Sequence, residues 1–305
     1  MYDIIIIGSG PAGLTAALYA RRAEKSVLVI EKETFGGQIT HSPRVENYPG
    51  FEEISGSELG ERLLSQAMAQ GAEIEFDTVV GITGEPGAYT VKCESCEKTA
   101  KSVIIATGSK HRTLGLSGEE CYTGDGISYC AVCDGAFYRD KTVAIIGGGN
   151  TALQEANMLA DIATKVYVIQ NLAFFTGEKN LVSRLDSRDN VEAILSTVVT
   201  DIIGGDGFRG IKIKNTESGD TRELYIDGMF VAIGQVPENE PFKNQVNLNG
   251  YGYIEAGEDC VPTGAEAGIF VAGDCRTKAI RQVTTATADG AVAALAACRF
   301  VDSIK

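Results

Sequence analysis

Cys130 and Cys133, flanking Ala131 and Val132 and followed at once by Asp134, are the side chains here best suited to electron transfer. Such a pair cycles between dithiol and disulfide, one sulfur attacking a partner disulfide and the other resolving the mixed species. The adjacent carboxyl can move protons to and from the reacting sulfurs. Zinc is the competing use, but a structural zinc site takes four ligands, commonly two such pairs. The second pair, Cys93 and Cys96, falls at the tip of an apparent hairpin and is read as a chance pair, so no metal site is expected. Cys121, Cys260, Cys275 and Cys298 are expected as packing residues, and His41 and His111 as loop or surface residues.

Two βαβ units stand around this pair. In the first, the apolar run Ile4-Ile5-Ile6-Ile7 enters Gly8-Ser9-Gly10-Pro11-Ala12-Gly13, a helical stretch follows, and the next strand ends at Glu31. Strand, glycine turn, helix and terminal acid are the elements of a dinucleotide site. The glycines allow a tight turn, close backbone approach to a pyrophosphate and close helix packing, and Pro11 suits a first helical turn. Glu31 is placed to hydrogen-bond an adenosine ribose. The second unit repeats the pattern from Thr142 through Gly147-Gly148-Gly149-Asn150-Thr151-Ala152 to the strand ending at Ile169. Near the C-terminus a further buried strand ends at Asp274, and Arg281-Gln282-Val283 leads into a small-residue helix. Asp274 reads either as a cap of that helix or as part of a ligand site, and the helix N-terminus suits negative charge.

The economical arrangement is α/β, with two Rossmann-like dinucleotide-binding domains, the second inserted into the first. Residues 1–113 and 242–305 would form one domain and 114–241 the other, the crossings lying in polar or proline-containing segments. A formal charge of -14 disfavours nucleic acid and anionic membrane surfaces. It also opposes an acidic protein partner unless a basic patch exists. No apolar run reaches the roughly 20 residues of a membrane span. Met1-Tyr2-Asp3 enters a strand directly, with no signal-peptide pattern, and a cytoplasmic location is expected.

These motifs together resemble the low-molecular-weight thioredoxin reductases along essentially the whole chain. The resemblance runs through Gly36–Thr40, Val45–Gly50, Ala106–Ser109, Cys130–Gly135, Gly147–Ala152, Ile233–Asn239, Ala272–Cys275 and Arg281–Ala286. It implies that Gly8, Gly10, Pro11, Ala12, Gly13, Glu31, Gly37, Gln38, Asn47, Thr107, Gly108, Asp274, Arg281, Gln282 and Val283 contact FAD. It also implies that Cys133 faces the flavin, Cys130 attacks thioredoxin, and Asp134 serves as acid and base. A homodimer and a rotation of the inserted domain are further implications.

One segment departs from the family. Members that use NADPH carry arginines after the strand that follows the second glycine turn, where this chain has Asn171, Leu172 and Thr176. A 2′-phosphate needs such multidentate cations. No acid replaces them to hold an NADH ribose, since Gln170 and Asn171 are neutral, while Leu172, Phe174 and Phe175 are expected to bring apolar bulk to the rim. In this respect the chain looks like the ferredoxin-dependent flavin thioredoxin reductases, with ferredoxin as donor and a doubtful role for NAD(P)H. The competing readings are an NADH- or NADPH-dependent thioredoxin reductase with altered preference, and a non-enzymatic flavin redox sensor.

Overall fold

A computed structural model describes residues 1–304. The chain forms two compact units, one of residues 1–110 and 236–305, the other of residues 111–235. The crossings lie a few residues before those expected from sequence.

In the first unit, strands Glu73–Phe76, Val27–Glu31, Tyr2–Ile7 and Glu97–Ile105 lie side by side in parallel, and Ile269–Val271 joins the last of them. Ala88–Cys93 and Val79–Glu85 extend the sheet as an antiparallel meander. Both faces of the parallel part are covered, which is why its strands read as unbroken apolar runs. Ile4 and Ile6 face one way, against alanines 16, 17 and 20 of helix Pro11–Arg22 and alanines 293, 294 and 297 of helix Val283–Ser303. Ile5 and Ile7 face the other way, with Val103, Ile105, Tyr89 and Phe242. Small side chains let the two helices approach closely, which fixes where their N-termini meet the strand ends.

The second unit has its own parallel sheet, in the order Val191–Ile194, Lys165–Ile169, Thr142–Ile146, Gly228–Val231 and Ile127–Ser128. Helix Asn150–Ala160 covers Val143, Ile145, Val166 and Val168 on one face. On the other, Ala144, Ile146 and Met229 pack on Ile211, Ile213 and Leu224. Those three belong to an antiparallel sheet of Thr197–Ile203, Gly210–Asn215 and Thr221–Tyr225, which the sequence reading did not anticipate. Its signal is the alternation of buried Ile211 and Ile213 with exposed Lys212 and Lys214. Helix Gly56–Ala69 was also unanticipated; Ser55 caps it by accepting the Glu58 N–H at 3.1 Å. Among the described residues, no helix is long and apolar enough to cross a membrane.

Candidate functional site

The dithiol lies in the second unit. Cys130 and Cys133 are joined as a disulfide, and Cys130 caps the short helix Ala131–Asp134, its sulfur lying 3.2 Å from the Cys133 N–H. Ser128 organises the approach. Its hydroxyl donates to Asp134 Oδ2 at 2.6 Å and accepts the Cys130 N–H at 3.1 Å. The other carboxylate oxygen of Asp134, Oδ1, is buried without a hydrogen-bond partner. Burial raises the Asp134 pKa, and the Ser128 hydroxyl only partly opposes it. An acid whose proton is held more tightly than usual, beside a disulfide, can supply the proton that a departing thiolate needs.

Glu155, on helix Asn150–Ala160, accepts the Ala131 N–H and is pushed up to about 7, first by burial and then by the nearby Asp134 charge. Sequence reasoning missed it, because its relation to the dithiol depends on how that helix packs.

The first glycine turn has the shape a dinucleotide requires. Gly8 has φ +105°, and a Cβ there would collide with the Ala106 carbonyl. At Gly10, by contrast, a Cβ would meet nothing within 4 Å: the backbone faces open space at the start of helix Pro11–Arg22. Pro11, Ala12 and Gly13 form the first turn of that helix. Glu31 is buried at the end of its strand, one carboxylate oxygen accepting from the Ser9 N–H and hydroxyl, the other from the Lys32 and Glu33 N–H groups. The Gly36 N–H donates to the Ser9 carbonyl at 3.0 Å, which lays Gly37 against Gly10. Gln38 is exposed beside it.

Other expected residues of this unit fall into two linked sets. Asn47 Nδ2 donates to Gln282 Oε1 at 3.2 Å, and Gln282 caps helix Val283–Ser303 in a reciprocal arrangement with Thr285. Asp274 is therefore not that helix's cap. Its Oδ1 is buried without a hydrogen-bond partner, and burial pushes it up to about 6 although Lys278 lies 4.0 Å away. Arg281 Nε is likewise buried and unsatisfied, the guanidinium lying 4.2 Å from the Tyr253 ring centroid. Two unsatisfied buried polar groups on one segment, with an open glycine cradle, are what a polar ligand would leave behind when absent. The residues fit FAD: Gly10 and the first turn of Pro11–Arg22 for the pyrophosphate, Glu31 for a ribose, and the segment from Asp274 to Val283 for the remainder.

Two supporting residues were missed by sequence reasoning. Asn239 is fully buried; its side chain accepts from the Thr107 hydroxyl at 3.0 Å and donates to the Gly252 and Cys275 carbonyls. It thus holds Thr107, beside Gly108, against the turn that carries Asp274. Asp289 takes Arg276, Lys278 and the Gly273 N–H, pinning that turn from within helix Val283–Ser303. A buried acid amid the small and apolar residues of the helix's first half was the available signal. Cys275 is fully buried and its thiol is pushed up to about 11 by burial, a packing residue and not a nucleophile.

The second glycine turn keeps the backbone form of the first. The Gly148 carbonyl accepts the Thr176 and Gly177 N–H groups at 2.8 and 3.0 Å, and the Thr176 hydroxyl at 3.2 Å. Its chemistry differs. Where the first unit has Glu31, the second has buried Gln170, whose amide is spent on the Phe174 carbonyl and the Asn171 N–H. A Cβ on Gly148 would stand 2.6 Å from that amide. Glu178 accepts from Asn150, the first helical residue, which puts a carboxylate beside the helix start. The expected apolar rim needs correcting. Phe175 turns inward onto the Leu153 and Leu159 cluster, joining Leu181 and Leu185 there, while Leu172 and Phe174 stay exposed. His111 is also not a simple surface residue: it is half-buried and stacks on Tyr129 at 5.4 Å.

Comparison with known proteins agrees with the two-unit α/β fold and the redox dithiol. The family model described as pyridine nucleotide-disulphide oxidoreductase matches residues 2–290. The chain is 39% identical to a thioredoxin reductase of Listeria monocytogenes, covering all of this chain and 95% of that protein. It is also 39% identical to a 34.2 kDa protein in the rubredoxin operon of Clostridium pasteurianum, covering 98% and 97% of the two chains. The structure of thioredoxin reductase from Streptococcus pyogenes superposes with a TM-score of 0.94 at 39% identity, over 100% of this chain and 99% of that one. The chain belongs to the low-molecular-weight thioredoxin reductase family, within the pyridine nucleotide-disulphide oxidoreductases.

Proposed function

We propose that this protein is a flavoprotein thioredoxin reductase whose electrons come from reduced ferredoxin and leave through Cys130 and Cys133. The observation that carries the choice of donor is the rim of the second glycine turn. There Gln170, Asn171, Leu172 and Thr176 offer no cation to a 2′-phosphate, and Glu178 sits on the helix start. The relative named for a rubredoxin operon is a lesser support, since rubredoxin carries single electrons. FAD, when bound, takes up electrons singly and releases them in pairs, which suits a one-electron donor and a two-electron disulfide.

The chain's own residues do the rest. Two electrons and two protons convert the Cys130–Cys133 disulfide to a dithiol, Asp134 delivering a proton to the sulfur that leaves as thiolate. The Cys130 sulfur then attacks the thioredoxin disulfide, forming a mixed disulfide. Cys133 resolves it, releasing reduced thioredoxin and restoring the Cys130–Cys133 bond. Ser128 holds the Asp134 carboxyl and the Cys130 backbone in one frame throughout. A homodimer is part of the proposal, to be checked by sedimentation.

The test is steady-state thioredoxin reduction under anaerobic conditions with photoreduced ferredoxin, NADPH or NADH as the only donor. Turnover with ferredoxin and none with either nucleotide is expected. Turnover with NADPH or NADH at micromolar concentration would replace the donor but leave the dithiol chemistry standing.

A further inference from the structure

The chemistry above makes no use of Cys93 and Cys96, yet the fold of the first unit gives them a third partner. Asp77 lies in the turn between strands Glu73–Phe76 and Val79–Glu85, and Cys93 ends strand Ala88–Cys93. The two sulfurs and an Asp77 carboxylate oxygen all lie within 4.8 Å of one another. Backbone bonds hold the three together: Cys93 N–H to the Cys96 carbonyl at 2.8 Å, and Glu94 N–H to the Thr78 carbonyl at 2.9 Å. Val79 pairs with Cys93 in the ladder. Asp77 Oδ1 accepts the Thr78 N–H, while Oδ2 accepts the Ser95 hydroxyl and lies 3.8 Å from the Cys96 sulfur. Lys98, the nearby base, is already paired with Glu75.

We infer that Asp77, Cys93 and Cys96 form a binding site for a thiophilic divalent cation, zinc foremost, separate from the redox dithiol. Zinc bonds of about 2.0–2.3 Å to oxygen and sulfur place tetrahedral ligands within 4 Å of each other. The cluster therefore closes on a cation by side-chain rotation alone. Two thiolates and a carboxylate favour a borderline-soft ion and disfavour magnesium or calcium, which take oxygen sets. Binding releases the two thiol protons and forms two metal–sulfur bonds and one metal–oxygen bond, with no change of oxidation state. Glu94 and Ser95 are exposed or half-exposed at the tip, which leaves the fourth position to water. Bound metal ties the Asp77 turn to the Cys93–Cys96 turn and so clamps the antiparallel end of the sheet.

The test is an anaerobic cobalt titration of the FAD-loaded, reduced chain carrying Cys130→Ser and Cys133→Ser, which removes the other dithiol as a competitor. One equivalent of cobalt is expected to give the strong ligand-field bands of a tetrahedral thiolate site, at wavelengths beyond flavin absorption, and one equivalent of zinc to abolish them. Adding Cys93→Ser and Cys96→Ser, which removes both sulfur ligands, is expected to abolish these bands. Flavin absorbance is expected to stay unchanged, showing that this variant folds. Adding Asp77→Asn alone is expected to cost roughly tenfold. The proposal is overturned if no tetrahedral spectrum forms, if the spectrum survives loss of both cysteines, or if a Cys93–Cys96 disulfide persists in zinc and reduced glutathione.

Discussion

Gly8–Gly13 and Gly147–Ala152 begin helices in the same way, and in each the following loop donates to the carbonyl after the first glycine. What differs is the end of the neighbouring strand. Beside Gly8–Gly13 lies a buried carboxylate, Glu31, with open space at Gly10, and Asp274 and Arg281 of the same unit keep unsatisfied polar atoms. Beside Gly147–Ala152 a neutral amide folds onto its own loop, and the carboxylate of Glu178 bonds the first helical residue. A glycine motif thus marks a scaffold, and the groups brought by the next strand and loop decide whether a ligand is held there.

A matched pair of substitutions breaks the comparison most directly. Gly10 and Gly149 both have negative φ, and neither has an atom close enough to clash with a new Cβ. Gly10→Ala is expected to fold but fill the cradle, weakening FAD on the order of a hundredfold, or about 3 kcal/mol. Gly149→Ala, whose Cβ would stand 3.9 Å from the Thr176 hydroxyl, is expected to leave ferredoxin-driven thioredoxin reduction unchanged. Titration of apoprotein with FAD and steady-state turnover give the two readings. A large loss of turnover in Gly149→Ala would mean that the second turn holds a ligand the reaction needs.

Asp134→Asn tests the proton source and is expected to slow dithiol–disulfide exchange on the order of tenfold to a hundredfold. Because burial raises the Asp134 pKa, its acid form persists to higher pH, and wild-type exchange is expected to fall once rising pH deprotonates it. The asparagine variant should lose this alkaline limb; an unchanged pH profile would assign the proton elsewhere, with Glu155 the next candidate. A smaller effect is expected from restoring cations to the second turn. Asn171→Arg with Leu172→Arg should tighten NADPH binding by about tenfold, read by calorimetry, since both positions are exposed and free to accept arginine.

The smallest effect concerns the apoprotein. Asp274 is held near 6 against an ordinary 3.8, so between these values the folded state binds more protons than the unfolded one. Stability therefore falls as pH rises across that window and the penalty remains above it. Asp274→Asn should raise the apoprotein melting temperature by a few degrees at pH 7.5, and the gain should shrink toward pH 4. A gain independent of pH would show that desolvation of the carboxylate is not the cause.

The dithiol and both glycine turns were legible because each depends on residues close in sequence. Asn239, Asp289 and Glu155 were not, since their roles arise only when helices and strands far apart in sequence pack together. Asp77 was invisible for the same reason, although Cys93 and Cys96 announced themselves by spacing. Phe175 was misplaced because apolar bulk after a strand can turn outward to the rim or inward to the core, and the pattern alone does not distinguish them.

The central claim is that the second glycine turn is retained as scaffold and the flavin is filled by a protein donor. Anaerobic stopped-flow mixing of the FAD-loaded enzyme with NADPH, NADH or photoreduced ferredoxin, followed at the flavin absorbance, tests it in one turnover. Rapid bleaching with ferredoxin and an unchanged spectrum with both nucleotides is the predicted result. Bleaching by micromolar NADPH or NADH within the turnover time would contradict it.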